Sequence, residues 1–407
     1  MPGIKIISLT MSDKYPRIIL KPGREASLLR GHPWIFSGAV ASVDGQPEPG
    51  NIAFAVTNQG KPLALGFYNP ASDISFRLLT TDTTATVNHL FWQKRIRAAV
   101  ALREKVVPEG ATAYRLINAE GDWMPGLVVD RYDNYLVLSI ATAGMEKHSQ
   151  SILKVLAEEM QPVGIYERSE GKARQLEKLE DRSGIAYGDH PPDIVEINEN
   201  QLHFKVDIIT GQKTGFFFDQ RPNRELVEKF SNQATVLNCF SYTGAFSVYC
   251  ARGGARRVIS VEASETANEI ARWNLLRNGF SSDQHPIFRA DVFNYLRETD
   301  ELFNIIILDP PAFARSKKDV ANAARGYKDI NLQAARSLRE GGILATFSCS
   351  NYIDKTLFQK IVIGAVRDAG KSAQLLQAMG AGSDHPTNLA HPEGSYLKGL
   401  LLRVSRD

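Results

Sequence analysis

Cysteine is scarce in this chain: Cys239, Cys250 and Cys349 are the whole complement of its 407 residues. An odd number with no C-x-x-C pair excludes a disulfide framework, argues against a cysteine-held metal and points to a reducing cytoplasm. The eight histidines show no ligand spacing. Five of them, His32, His190, His285, His385 and His391, stand directly before proline and read as turns, so no metal is expected. No apolar run approaches the roughly 20 residues that a membrane-spanning helix needs. The start, Met1-Pro2-Gly3-Ile4-Lys5, lacks a signal-peptide pattern. A membrane partner is therefore not expected, and a cytoplasmic location is. Internal repeats and low-complexity tracts are missing, and so is the G-x-G-x-x-G of dinucleotide binders, which weakens a nicotinamide-cofactor reading.

What is present is an apolar fraction of 43%, ample for packed cores, in a chain long enough for two or three domains. The net charge of +3 is unevenly spread. The first 100 residues hold eleven Lys/Arg against six Asp/Glu, and the rest hold 37 against 39. A basic N-terminal module on a near-neutral body suits a nucleic-acid anchor, although an ordinary solvated surface would look the same. Short β-type runs separated by turn chemistry fill residues 17–79, as in a small β-barrel, and a helix is predicted over 87–105. Hairpins are predicted around Asp133-Asn134 and Asn198-Glu199-Asn200, a helix over 150–160, and a solvated helix or loop in the charged run 167–182. From Val236 the rhythm becomes strand, helix, strand, helix, which predicts an α/β class with a parallel, Rossmann-like sheet and helices on both faces. The run 395–404 reads as an antiparallel edge strand.

The chemistry collects at the carboxyl ends of those strands, where open α/β sheets bind ligands. Asn238-Cys239-Phe240-Ser241-Tyr242-Thr243-Gly244 joins a buried strand to a helix, offering free helix N–H groups to a carboxylate. Glu262, eighteen positions beyond Gly244, ends the next strand and can accept both hydroxyls of a ribose. Asp291 ends the third and can meet an adenine amino group. Each acid alone is as readily a helix cap; three in order favour a nucleotide-like cofactor. Leu308-Asp309-Pro310-Pro311 and Phe347-Ser348-Cys349-Ser350 end the next two strands. An acid stiffened by two prolines and a thiol on the neighbouring strand can face one flat substrate from two sides. That suits cofactor-dependent methyl transfer to a nucleic-acid base, with the Cys349 thiolate adding to C6 of a pyrimidine. An inert, packed Cys349 is the alternative.

The ordered runs Gln-Lys-Thr-Gly-Phe-Phe-Phe-Asp-Gln-Arg (212–221), Asn-Cys-Phe-Ser-Tyr-Thr-Gly (238–244), Leu-Asp-Pro-Pro (308–311), Arg-Gly-Tyr-Lys-Asp-Ile-Asn (325–331) and Thr-Phe-Ser-Cys-Ser (346–350) resemble the bacterial 23S rRNA cytosine-C5 large-subunit methyltransferases. The segment from Leu28 to Gly38 is similar to the PUA domain of that family. The resemblance covers nearly the whole chain after about residue 15. It implies a PUA RNA-binding β-barrel over 15–85, a middle mixed α/β domain over 86–192 and an S-adenosylmethionine (SAM) domain over 193–407. It implies SAM contacts from Asn238, Phe240, Ser241, Tyr242, Gly244, Glu262, Ala263, Ser264, Asp291 and Val292, with Thr214 and Gln220 helping to close the site. It makes Cys349 the nucleophile, Asp309 the group on the target base and 23S rRNA the partner. A homodimer is compatible with the sequence and not required by it. RNA cytosine-C5 methyltransferases commonly carry a second cysteine in the turn after the fourth strand; here that turn reads Asp309-Pro310-Pro311-Ala312-Phe313. The base that removes the C5 proton is thus unidentified, and a nitrogen-methylating enzyme or a non-catalytic RNA-binding assembly factor on the same fold stays open.

Overall fold

The computed structural model describes residues 15–406 except residue 315. The reading of Met1–Lys5 lies outside them. The described residues divide into two units, one of 15–107, 114–193 and 384–394, the other of 108–113, 194–383 and 395–406.

In the first unit, β1 (Arg17–Leu20), α1 (Ala26–Leu29), β2 (Trp34–Phe36), β3 (Val40–Asp44), β4 (Asn51–Val56), β5 (Pro62–Tyr68) and β6 (Ile74–Thr80) form a six-stranded sheet ordered β2-β6-β5-β4-β1-β3. Strand alternation gives β4 two jobs. Ala53 and Ala55 face a core with Ile18, Leu20 and Phe76. Ile52, Phe54 and Val56 face another that holds Trp92 and Ile96 of α2 (His89–Val106), itself capped by the Asn88 side chain accepting from the Phe91 N–H at 3.1 Å. That second core continues into a sheet ordered β11-β10-β9-β8-β7, from β7 (Ala113–Asn118), β8 (Leu127–Tyr132), β9 (Tyr135–Ile140), β10 (Gly164–Ser169) and β11 (Arg182–Gly188). Helices α3 (Ala143–Lys147) and α4 (Ser149–Met160) pack with it, and α5 (Lys172–Leu176) is tied to β9 by Arg174.

The charged run 167–182 is not the solvated segment its composition predicts. Glu167, Arg174 and Glu177 are buried. Arg174 donates to the Ile140 and Glu180 carbonyls at 2.8 and 2.7 Å, and Glu177 pairs with Arg77 at 2.9 Å. Arg174 and Glu177 are tolerated in the interior because each has partners, Ile140 and Arg77 from outside the run among them. Asp384, from the segment 384–394, belongs to this unit too: its carbonyl accepts from buried Arg103 at 2.9 Å and its carboxylate from the Arg115 N–H at 3.2 Å.

The second unit opens with the hairpin β12 (Ile194–Glu199) and β13 (Leu202–Asp207), then α6 (Arg221–Glu228). Its main sheet follows: β14 (Thr235–Cys239), α7 (Ala245–Arg252), β15 (Arg257–Glu262), α8 (Glu265–Arg277), β16 (Ile287–Arg289), α9 (Val292–Glu298), β17 (Phe303–Leu308), α10 (Val320–Ser337), β18 (Leu338–Ser348), α11 (Lys355–Asp368), β19 (Ser372–Met379) and β20 (Lys398–Ser405). The order is β16-β15-β14-β17-β18-β20-β19. The first five strands run parallel and β20 runs antiparallel to both β18 and β19. β20 is therefore not the edge strand its sequence suggested. Its Leu401 and Leu402 are both buried, and the edge is β19, whose residues 373–378 are exposed. The register aligns Cys239 with Val261 and Leu308, and Leu308 with Thr346. Four strands thus end at one level, with their following turns side by side.

Candidate active site

A cavity of about 450 Å³ opens over those four strand ends. The turn after β14 enters it with Phe240 and Tyr242 at positive φ (56° and 47°), a conformation that bulky residues adopt at a cost. Gly244, at φ 76°, lets α8 come close: a Cβ there would lie 3.0 Å from the Ala271 Cβ. The turn presents Phe240, Ser241, Tyr242 and Thr243 to the cavity. The Ser241 and Thr243 hydroxyl oxygens are buried and meet no hydrogen-bond partner among the described residues. Such groups cost free energy unless something else completes them.

Glu262 and Ala263 form the neighbouring wall. The Glu262 carboxylate accepts from the Tyr242 N–H at 3.1 Å and the Ser264 N–H at 2.9 Å, which fixes its orientation. A carboxylate has about four acceptor sites, so two remain.

Several residues that the sequence places at the cofactor stand outside this wall. Asn238 is buried beneath the turn and donates to Ser247 at 2.9 Å, tying β14 to α7. Ser264 and Asp291 cap α8 and α9 through the Ala267 and Asn294 N–H groups at 3.3 and 3.0 Å. Val292 sits in the core, and Thr214 is buried.

Asp309, Pro310, Pro311 and Cys349 form the opposite side of the cavity. Burial and the neighbouring Asp219 carboxylate push the Asp309 carboxyl up to about 7, against the pull of Lys213, the Gln220 hydrogen bond and Arg224. Asn223 donates to the Gln220 oxygen at 2.6 Å, so the Gln220 amide turns its N–H groups toward Asp309. Asp219 is itself held by the Lys213 ammonium at 2.7 Å and the Tyr396 hydroxyl at 2.6 Å. The Cys349 sulfur lies 3.8 Å from the Pro310 carbonyl oxygen. Burial, then the Asp309 charge, push its thiol up to about 11, with Lys213 and Lys398 acting the other way. Lys398 is buried, donates to the Ser350 carbonyl at 2.7 Å and is lowered to about 8 by desolvation. Cys239 and Cys250 are sealed in the core, where desolvation holds their thiols far up.

Sequence reading missed Lys213, Asp219, Tyr396 and Lys398 as members of the cavity's charge system. Lys213 and Asp219 lie in the flagged aromatic run 212–221; Tyr396 and Lys398 lie in a segment whose only visible signal was strand periodicity. The assembled groups can hold a charged, hydroxyl-rich cofactor on one side and present an acid and a thiol to a planar base on the other.

Comparison with known proteins is consistent with that chemistry. Residues 125–369 match the model of an S-adenosylmethionine-dependent methyltransferase family, and residues 18–81 that of a PUA-like domain. The chain is 44% identical over 391 residues to the ribosomal RNA large subunit methyltransferase I of Aeromonas salmonicida, covering 95% of this chain and 99% of that one. It is 43% identical over 392 residues to the protein of the same name from Photobacterium profundum, with the same coverage. A crystal structure described as a methyltransferase complexed with SAH superposes with a TM-score of 0.83 at 24% identity, covering 95% and 99% of the two chains. A SAM-dependent methyltransferase from Streptococcus mutans does so at 0.82 and 23%, with the same coverage. Both structural likenesses are of fold.

Proposed function

We propose, given that the chain belongs to the S-adenosylmethionine-dependent methyltransferase family that includes the ribosomal RNA large subunit methyltransferases I, that it methylates C5 of a cytosine in 23S rRNA through a covalent Cys349 adduct. The observation that carries this reading is the placement of Cys349 and Asp309 on one wall of one cavity, with the sulfur 3.8 Å from Pro310 of the Asp-Pro-Pro turn. SAM, when bound, supplies an electrophilic methyl group on a sulfonium. The cofactor fits the residues present: Ser241 and Thr243 offer two unsatisfied buried hydroxyls to its amino-acid end, and Glu262 offers two free acceptor sites to its ribose.

The chain's own residues do the rest. The Cys349 sulfur bonds to C6 of the cytosine. Its proton passes through the Asp309 carboxylate to N3, so the ring carries the added electron density at C5 and remains neutral. An acid near 7 can both take and give that proton at neutral pH. After C5 is methylated, loss of the C5 proton restores the double bond and expels the Cys349 sulfur as thiolate, and the N3 proton returns through Asp309 to that sulfur, leaving neutral 5-methylcytosine. Positioning and electrostatics are the protein's contribution, since the methyl donor is already reactive.

Glu262→Ala should weaken SAM binding at least tenfold by calorimetry, because each charge-assisted bond to a ribose hydroxyl is worth roughly 1.5–3 kcal/mol. The melting temperature checks that the fold is retained. Unchanged affinity would remove Glu262 from the cofactor site.

The PUA-like barrel supplies RNA affinity in this reading. Its sheet shares a core with α2, so deletion would unfold more than the barrel. Charge reversal is the cleaner test. Arg24 and Arg30 flank α1 and are exposed. Arg24→Glu with Arg30→Glu should weaken RNA binding and flatten the dependence of log affinity on log salt by roughly one for each phosphate no longer neutralised. SAM affinity should not move. An unaltered salt slope in the double variant would place the anchor elsewhere.

A further inference from the structure

The two turns that carry Asp309 and Cys349 are joined by a small set of buried hydroxyls, centred on Tyr327, that the chemistry above does not use. Tyr327, on α10, is fully buried in an otherwise apolar cluster with Ala323, Ile330 and Phe358. Its ring packs on Phe313 with centroids 4.6 Å apart. Its oxygen accepts from the Ser348 hydroxyl at 3.0 Å and lies 3.0 Å from the Ser350 hydroxyl. The Ser350 oxygen also accepts from the Ala314 N–H at 3.2 Å. Between Tyr327 and Ser350 either hydroxyl can donate. Ser348 and Ser350 are the residues on either side of Cys349, while Phe313 and Ala314 close the turn that Asp309 opens.

We propose that Tyr327 is a positioning residue for the methyl transfer: its hydroxyl fixes the spacing between the Cys349 turn and the Asp-Pro-Pro turn, so that thiol and acid reach the same base together. The proposal rests on the covalent reading of Cys349. A hydroxyl can hold that spacing where a phenylalanine cannot, because it binds Ser348 and Ser350 beside Cys349 while Ser350 in turn holds the Ala314 N–H of the other turn, and hydrogen bonds are strong in apolar surroundings. The serines flanking Cys349 are explained at the same time. They are anchors for the turn, and the thiol between them stays free to face the cavity.

The test is Tyr327→Phe in the full chain, which keeps the ring packing and deletes one oxygen. Assays use 23S rRNA transcripts, either ordinary or carrying 5-fluorocytidine in place of cytidine. The expected result is a fall in kcat of about 10- to 100-fold, the scale on which catalysis responds to a displacement of about 1 Å. SAM affinity by calorimetry and KM for RNA should stay within about twofold. The rate of covalent adduct formation on fluorinated RNA should fall in step with kcat. Ser350→Ala, which removes the oxygen that bridges Tyr327 and Ala314, should reproduce this split and serves if Tyr327→Phe does not fold. Wild-type kcat in Tyr327→Phe overturns the proposal. So does a loss of SAM affinity in parallel with kcat, which would mark a merely structural role. Cys349→Ala run alongside separates the two readings. If it is inactive while Tyr327→Phe is unimpaired, only the positioning role falls; if it methylates normally, the covalent reading falls and the positioning role with it.

Discussion

Cys349→Ala should abolish both turnover and the covalent adduct with 5-fluorocytidine RNA. The adduct expected of the unaltered protein should require SAM and survive denaturing electrophoresis, because fluorine at C5 cannot leave as a proton does and the sulfur stays bonded to C6. Cys239→Ala and Cys250→Ala should leave both activities in place and at most lower stability, since both thiols are sealed in the core. Before RNA arrives the Cys349 thiol is held up to about 11 by burial and by the Asp309 charge. Iodoacetamide should therefore modify it slowly at pH 7 and faster as the pH rises. Normal methylation by Cys349→Ala would sink the adduct mechanism, and the nitrogen-methylating reading would take its place.

Asp309→Asn should lower kcat by about 10²- to 10⁴-fold, the usual worth of a positioned acid-base group, with Cys349 still present. It should also raise thermal stability, and the sign follows from the carboxyl's environment. The folded state holds this acid at about 7, above its ordinary value of 3.8, because burial and Asp219 oppose its charge. Between those two values the folded chain binds the proton more tightly than the unfolded one. Stability therefore falls as pH rises through that window and levels off above about 7. Asparagine does not ionise, so the melting temperature of Asp309→Asn should equal that of the unaltered protein near pH 4 and exceed it increasingly up to pH 7. A melting curve series showing no such divergence would mean that Asp309 is not held protonated by its site. Faster turnover by the variant would remove it from the chemistry.

The features most legible in sequence were the ones written locally. A buried strand followed at once by a polar run marks a strand end, and four such ends in succession point to the level at which the cavity lies. The α/β rhythm likewise forecast the parallel part of the sheet. What was hidden depended on remote partners. Arg174 and Glu177 look like surface charges until Ile140 and Arg77 are placed beside them. β20 carries an ordinary alternating pattern, and nothing local shows that β19 will add itself outside it. Asp291 and Ser264 illustrate another limit: a residue at a strand end also caps the next helix, and the sequence does not separate that role from a cofactor contact. Lys398 was hidden because a lysine facing Ser348 across two strands reads, in one dimension, as a polar position on an edge.

The segment 384–394 has a consequence for how this chain is made on the ribosome. It lies between β19 and β20 in sequence, yet it supplies the carbonyl and carboxylate of Asp384 to Arg103 and Arg115 of the first unit. Synthesis usually lets an N-terminal domain fold while the rest is still being translated. Here the first unit must wait for residues encoded almost 200 codons after its sheet is complete, and the second must wait for β20 to slot between β18 and β19. The first unit therefore reaches its final hydrogen bonding only after the chain has emerged through Gly394, and the second only after Ser405. A translational pause or premature stop anywhere between β11 and β20 leaves two unfinished units at once.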